Sequence, residues 1–342
     1  MKPVIKPAGW DVFGFNAAEV KPNAASVDIV GQLIKKFEWQ FDHPDVPKAR
    51  RHLFNFELTR LVVQQISVPF KRPLYIFGLQ GTSKTSTPQQ VCARLGRPMV
   101  EMVVSPETVI SDFIGGWILN EDGKMELQYG PLANAMLYGL VLVIDELDRL
   151  PPDVQKALNG VLEGRDLVIP QTSERIAPHP NFSVILTANT NNQYGSQGFL
   201  SQAGDASVND RPLFIEVGYM QEEQEIKVLG WYLEDYLGEL GFPQEAISML
   251  STEIAPSINI MVKVANDTRH SFKTGTSGQG GGLPAPLSLR SLQIWLEQLI
   301  WDSAWEGSAL KAAYEKAYVL SLPEVDRDAA RNVLRARLPA AA

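Results

Sequence analysis

The chain has 342 residues, 45% hydrophobic and 20% charged, a size that holds one large or two moderate domains with ample core. Its net charge of −8 and pI near 5.2 disfavour a general nucleic-acid binder. One cysteine, Cys92, excludes an internal disulfide framework and suits a reducing cytoplasm. The histidines, His43, His52, His179 and His270, lack zinc spacing, no apolar run approaches the ~20 residues of a membrane span, and the first residues lack a signal peptide's apolar stretch.

Residues 1–52 are rich in Pro, Asn and Ala, with a short apolar cluster at Trp10-Asp11-Val12-Phe13. They read as an irregular arm packing either on the core or on a neighbouring subunit. From Leu53 to Ile66 apolar residues recur at near-helical spacing, which predicts a helix. A short apolar strand follows, Leu74 to Phe77, then the loop Gly78-Leu79-Gln80-Gly81-Thr82-Ser83-Lys84-Thr85, then a helix over Thr87 to Leu95 that contains Cys92. Strand, glycine-rich loop and helix form the context of the Walker A motif. Backbone N–H groups of such a loop cradle phosphate oxygens with the help of the helix N-terminus. Gly78, Gly81, Thr82, Ser83, Lys84, Thr85 and Ser86 are therefore the expected ATP contacts. Lys84 is placed to reach the β- and γ-phosphates and Thr85 to ligate Mg²⁺. Ser83 departs from the motif, which wants glycine there; its side chain either crowds the phosphate or strains a glycine-type backbone.

Met99 to Val104 reads as the next strand and Leu132 to Leu137 as a helix. Leu140-Val141-Leu142-Val143-Ile144 is a continuous apolar run, the pattern of a strand buried on both faces. Asp145 and Glu146 stand at its carboxyl end, where open α/β sheets bind ligands. Asp145 suits Mg²⁺ and Glu146 suits orienting a water. Val154 to Leu162 reads as a helix after Pro151-Pro152, and Phe182 to Leu186 and Leu213 to Val217 as strands. Such alternation predicts an α/β fold, a parallel sheet with helices on both faces. Two stretches read as β-hairpin inserts, about 107–129 and 165–177. The first carries Trp117, an apolar run and an Asp122-Gly123 turn. Beyond Tyr219 the strand signal fades. Residues 220–238, 243–272, 287–306 and 309–338 read as helices, with a flexible loop over Thr274–Gly282. The expected domains are thus the arm, an α/β domain over 53–218 and a smaller all-helical domain over 219–342.

Read together, these residues resemble an AAA+ ATPase of the MoxR branch, closest to CobS, CbbQ and NorQ members. Gly130-Pro131-Leu132-Ala133-Asn134-Ala135-Met136 is similar to the family's GPLFANLLL helix. Asp145 to Leu158 is similar to its DEINRAPPKVQSALL segment, and Thr187-Ala188-Asn189-Thr190 to its sensor 1 strand end. The resemblance covers roughly residues 55 to 300. It implies a P-loop NTPase sheet followed by a helical lid, ATP and Mg²⁺ as cofactors, and hydrolysis of ATP. It implies Asn189 as the sensor 1 residue orienting the attacking water. Arg211, in Asp210-Arg211, is then an arginine finger acting on an adjacent subunit, with Pro212 where the family has Phe. Arg290 is similar to sensor 2, and Arg149 to an interface arginine. The first hairpin coincides with the helix-2 insert that points toward a central pore. A homo-oligomeric ring, a hexamer, is implied, working on a protein client and in some relatives with a von Willebrand A-domain partner. Two other readings differ in class: a nucleic-acid motor or loader, and a structural AAA+ module that scarcely turns over, for which Ser83 is the support.

Overall fold

Five apolar runs form one parallel sheet. The computed structural model describes residues 3–15, 34–68, 72–189, 211–276, 282–303 and 308–338. Thr190, Asp210 and residues 277–281 of the glycine-rich loop therefore lie outside the described residues. The chain divides into two compact units, residues 1–79 with 83–218, and residues 80–82 with 219–342.

The first unit opens with β1 (Val4–Pro7) and β2 (Lys35–Glu38), an antiparallel pair, with a 3₁₀ turn at Trp10–Phe13. Among the described residues the expected irregular arm carries these three short elements, and residues 39–52 have no helix or strand. Trp10, Phe13, Ile34 and Phe37 are buried, and Trp10, Phe13 and Ile34 join a core cluster with Leu58, Val62, Val91 and Leu95. It packs on its own core, because its sparse aromatics find an apolar helix face there. Polar ties extend the contact: the Trp39 indole donates to Gly96 O at 2.7 Å, and Met99 N donates to Asp45 O at 2.8 Å.

Helix α1 (Phe56–Ser67) starts later than its apolar spacing suggested. Asn55 sets the start, its side chain accepting from Leu58 N at 3.0 Å, a cap typically worth about 1 kcal/mol. The sheet order is β11–β3–β10–β7–β4, with β3 (Leu74–Phe77), β4 (Met99–Val103), β7 (Val141–Asp145), β10 (Ser183–Ala188) and β11 (Leu213–Glu216) paired in parallel. Alternate residues serve opposite faces. Leu74, Ile76, Val141, Val143 and Ile185 face α1 and α2 (Ser86–Leu95). Tyr75, Leu142, Ile144, Val184 and Leu186 face α4 (Pro131–Tyr138) and α5 (Pro152–Leu162).

Between β4 and α4 lie the short helix α3 (Ile110–Ile114) and the hairpin of β5 (Gly115–Leu119) and β6 (Met125–Tyr129). A Cβ on Gly115 (φ +107°) would strike the Gln128 carbonyl, so the crossing of the hairpin's base requires glycine. The second hairpin is short, β8 (Leu167–Val168) against β9 (Arg175–Ile176).

The second unit is helical: α6 (Glu222–Glu239), α7 (Gln244–Thr276), α8 (Leu289–Asp302), α9 (Ala309–Ala317) and α10 (Glu324–Arg337). Residues 309–338 do not form the single helix expected. A 3₁₀ turn at Val319–Ser321 and Pro323 divide them, since proline disfavours helical backbone in the residue before it. α8 begins at Leu289, where the Ser288 hydroxyl accepts from Ser291 N at 3.2 Å.

An ion pair lies inside this unit. Arg269 grips Glu225 with two bonds of 2.7 Å, donates to Leu287 O at 2.9 Å and stacks over the Tyr219 ring. The side chains are 5% and 2% exposed. Removing one partner of such a pair strands a charge and costs roughly 3–5 kcal/mol, whereas an apolar replacement of both is often near neutral. Arg269→Met should therefore lower the midpoint of urea unfolding strongly, and Glu225→Leu/Arg269→Met should recover most of the loss.

Candidate nucleotide site

The parallel register carries the strand ends to one edge. The Gly78 N–H donates to Ala188 O at 3.3 Å and anchors the loop's first residue to β10. Gly81 (φ +77°) and Ser83 (φ +65°) both take left-handed backbone on the way into α2. Thr85 opens that helix without a side-chain cap, and no acidic residue stands in its first turn. Such a terminus presents N–H groups and a positive dipole end to an anion.

Lys84 is buried, and its ammonium donates to Gly78 O and Leu79 O at 2.8 Å each and to Asn189 Oδ1 at 3.2 Å. Burial lowers its pKa, while the Asp145, Asp148 and Glu146 carboxylates oppose that shift. Asn189, the residue after β10, is held from behind as well, its N–H donating to Asp148 Oδ2 at 3.2 Å.

Asp145 ends β7. Its Oδ1 accepts from the Thr187 hydroxyl and from the Glu146 N–H at 3.1 Å. Glu146 sits in the left-handed region (φ +60°), and its Oε2 lies 2.7 Å from Arg149 Nη1. Lys84, Asn189, Asp145 and Glu146 thus share one edge with the loop. The donor set fits the expected cofactors. Thr85 Oγ1 and the Asp145 carboxylate are hard oxygens suited to Mg²⁺, and the loop's left-handed turns leading into an uncapped helix suit phosphate oxygens.

The two remaining site arginines stand otherwise. Arg211 Nε donates to Glu163 Oε1 at 2.6 Å, a pair only partly exposed on both sides. Arg290 is an exposed residue of the first turn of α8, in the second unit. Three residues had not been singled out from the sequence: Thr187 behind Asp145, Asp148 behind Asn189, and Glu163 opposite Arg211. The first two lie inside the strand-end segments already quoted. Only their pairing across strands was hidden.

His52 supports the loop helix from the other side. Its Nε2 lies 3.2 Å from Thr87 Oγ1. Burial, with the Arg94 charge nearby, holds its pKa down to about 4. The unfolded chain then takes up a proton first, near the ordinary value of about 6.5. Stability from this residue is complete above that pH and is lost as pH falls toward 4, a loss on the order of 2–4 kcal/mol. Urea unfolding between pH 7 and 4.5 should show this slope, reduced in His52→Gln.

A serine held left-handed costs roughly 1–2 kcal/mol relative to glycine. Ser83→Gly should therefore raise unfolding stability by about that amount, moving the thermal midpoint up by a few degrees. Titration of labelled ATP separates this backbone strain from crowding of the phosphate. Strain present in the folded loop leaves affinity unchanged, whereas crowding makes the glycine variant bind tighter.

The sequence and fold are similar to those of several known proteins. Residues 73–203 match the AAA domain (dynein-related subfamily) family model. The aerobic cobaltochelatase subunit CobS of Sinorhizobium sp is 28% identical over 254 residues, 72% of this chain and 70% of that protein. A midasin of Dictyostelium discoideum is 32% identical over 142 residues, 41% of this chain but only 2% of the midasin. The gas vesicle ATPase GvpN of Ancylobacter aquaticus is 28% identical over 176 residues, 46% of this chain and 48% of GvpN. In fold, NtrX from Brucella abortus superposes with a TM-score of 0.50 at 13% identity, over 85% of this chain and 62% of that one.

Proposed function

We propose that this chain, an AAA+ protein of the MoxR/CobS type, hydrolyses ATP with Mg²⁺ in a cytoplasmic homo-oligomeric ring, a hexamer, and uses the cycle to remodel or activate a protein client. The observation that carries the reading is the meeting of Lys84, Asn189, Asp145 and Glu146 at one edge beside the phosphate loop. In-line attack of water needs positioning and charge stabilisation rather than covalent chemistry. Lys84 holds phosphate oxygens, Asn189 and Glu146 orient the water, and Thr85 and Asp145 are the residues that would hold Mg²⁺. Held there, the ion would supply positive charge to offset that of the phosphate oxygens. Arg211 acts in trans as the finger, after exchanging Glu163 for a neighbour's γ-phosphate. Arg290 serves as sensor 2.

Client contact falls to the β5–β6 hairpin. Trp117, Leu119 and Met125 are 47%, 68% and 61% exposed there, a cluster of apolar groups on a projecting ribbon. A client of protein chemistry suits that surface. The ribbon's acidic residues, Glu121, Asp122 and Glu126, outnumber Lys124 and disfavour a nucleic-acid track. A von Willebrand A-domain protein is the partner proposed by family likeness. Among the described residues no helix is long and apolar enough to cross a membrane.

Three variants test the reading. Glu146→Gln should abolish ATP turnover yet retain labelled ATP, and Lys84→Ala should weaken binding itself. Arginine fingers are worth about 10³–10⁵ in rate, so Arg211→Ala should be nearly inactive but bind ATP. Mixing Arg211→Ala with Lys84→Ala subunits should restore part of the activity at hybrid interfaces. Wild-type turnover in both Glu146→Gln and Lys84→Ala would sink the assignment, and full activity in a dilute monomer by sedimentation would sink the ring.

A further inference from the structure

Lys84 has no donor to spare. An ammonium carries three N–H donors, and three acceptors take them here: Gly78 O and Leu79 O at 2.8 Å and Asn189 Oδ1 at 3.2 Å. Holding phosphate oxygens, the role given to Lys84 above, therefore means giving up one of these bonds. The bond to Asn189 is the longest of the three, and the other two tie Lys84 to its own loop. The Asn189 side chain thus loses this hold at the step that needs its amide.

Asn189 also stands where the sheet stops. On the β3 side the last pairing is Ala188 with Phe77, and on the β7 side it is Leu186 with Ile144. Past that point side chains from the β7 segment take over from the ladder. Asp145 accepts from the Thr187 hydroxyl, and Asp148 Oδ2 accepts from Asn189 N at 3.2 Å. Asp148 is only 2% exposed, and the turn that carries it is anchored on both sides. Leu147 and Leu150 are buried in the core, and Leu150 N donates to Leu147 O at 3.0 Å. The buried Gln155 side chain, on α5, donates to Leu150 O at 2.8 Å. A bond from a backbone N–H to a carboxylate is among the stronger kinds. This one does not depend on where Lys84 donates.

We propose that Asp148 is a positioning residue for ATP hydrolysis: it fixes the Asn189 backbone, and so aims the amide that orients the water, once Lys84 has exchanged Asn189 for phosphate. The proposal rests on the reading of Asn189 given above, and it deepens that reading by naming what holds the residue in the loaded site.

Asp148 also places negative charge near Lys84, so aiming must be separated from charge. The measurements are steady-state ATP hydrolysis by the full chain, at concentrations where it assembles, and the Kd for labelled ATP. Asp148→Ala should lower kcat about ten- to a hundredfold, the loss of one charge-assisted hydrogen bond, with Kd within about twofold of wild type. Asp148→Leu fills the same buried volume without an acceptor and should behave alike, which guards against a variant that merely unfolds. Asp148→Asn keeps an acceptor in place and should recover most of kcat. In an Asn189→Ala background, whose residual turnover is followed with γ-labelled ATP, adding Asp148→Ala should change the rate by less than about twofold, because two groups acting through one another are not additive. Wild-type kcat in folded Asp148→Ala or Asp148→Leu overturns the proposal. So does a weakened Kd with kcat kept, or an Asp148→Asn as slow as Asp148→Ala; either marks a counter-charge to Lys84. A full further loss in the Asn189→Ala background overturns it as well. Asn189→Ala alone keeps the two levels apart: if it hydrolyses ATP at the wild-type rate, the assignment of Asn189 fails, whatever Asp148 does.

Discussion

A cation buried at the carboxyl edge of a parallel sheet organises this protein's site. Lys84 has left water, and the groups around it hold it charged: two loop carbonyls, the Asn189 amide oxygen, and the fields of Asp145, Asp148 and Glu146. Desolvation and attraction oppose each other there, and a buried ammonium tolerates that balance only when its partners are fixed. The fixing is done by register. Ala188 pairs with Phe77 and Leu186 with Ile144, so the residues just past three strands arrive at the same height. A slip of one residue would turn each of these side chains to the opposite face.

The same register supplies the supporting contacts. Thr187, on β10, reaches across to Asp145 on β7, and Asp148, past β7, reaches back to the backbone of Asn189 past β10. The Asp145 carboxylate is thereby held at its side chain, and Asn189 at its backbone by Asp148 and at its Oδ1 by Lys84. Phosphoryl transfer asks for placement within a fraction of an ångström, and residues on strand ends, locked by neighbours on adjacent strands, supply it better than loop residues do.

Much of this was legible because the signals were local. The apolar run at Leu140–Ile144, the glycine loop before Lys84 and the hairpin turn at Asp122-Gly123 each follow from a few consecutive residues. The parallel sheet and the helical region after Tyr219 follow from how such signals alternate. What escaped was non-local. The arm's Trp10 and Phe13 carry no periodic pattern, and their burial is decided by the apolar face of α1 and α2. Asn55 displaced the start of α1 through one hydrogen bond. The Arg269–Glu225 pair joins residues 44 positions apart on two helices, and spacing alone matches no such partners. Arg211 illustrates the limit at the site itself. Its place in a family motif pointed to a neighbouring subunit, whereas within one chain its nearest acceptor is Glu163.

The backbone adds an argument that side-chain chemistry does not. Among the described residues three non-glycine positions have positive φ, and two of them, Ser83 and Glu146, belong to the candidate site. Strain of this kind persists only where surroundings over-determine it, and it gathers at sites where a group must be aimed rather than comfortable. At Ser83 the left-handed turn sets the last residue of the phosphate loop before Lys84. At Glu146 it reverses the chain right after Asp145, so that one carboxylate stays in line with the strand while the next is swung into the 3₁₀ turn with Arg149. Two adjacent acids on an extended strand would point to opposite faces. The left-handed residue is what lets neighbours in sequence face different ways at one edge, and it places Glu146 Oε2 2.7 Å from Arg149 Nη1.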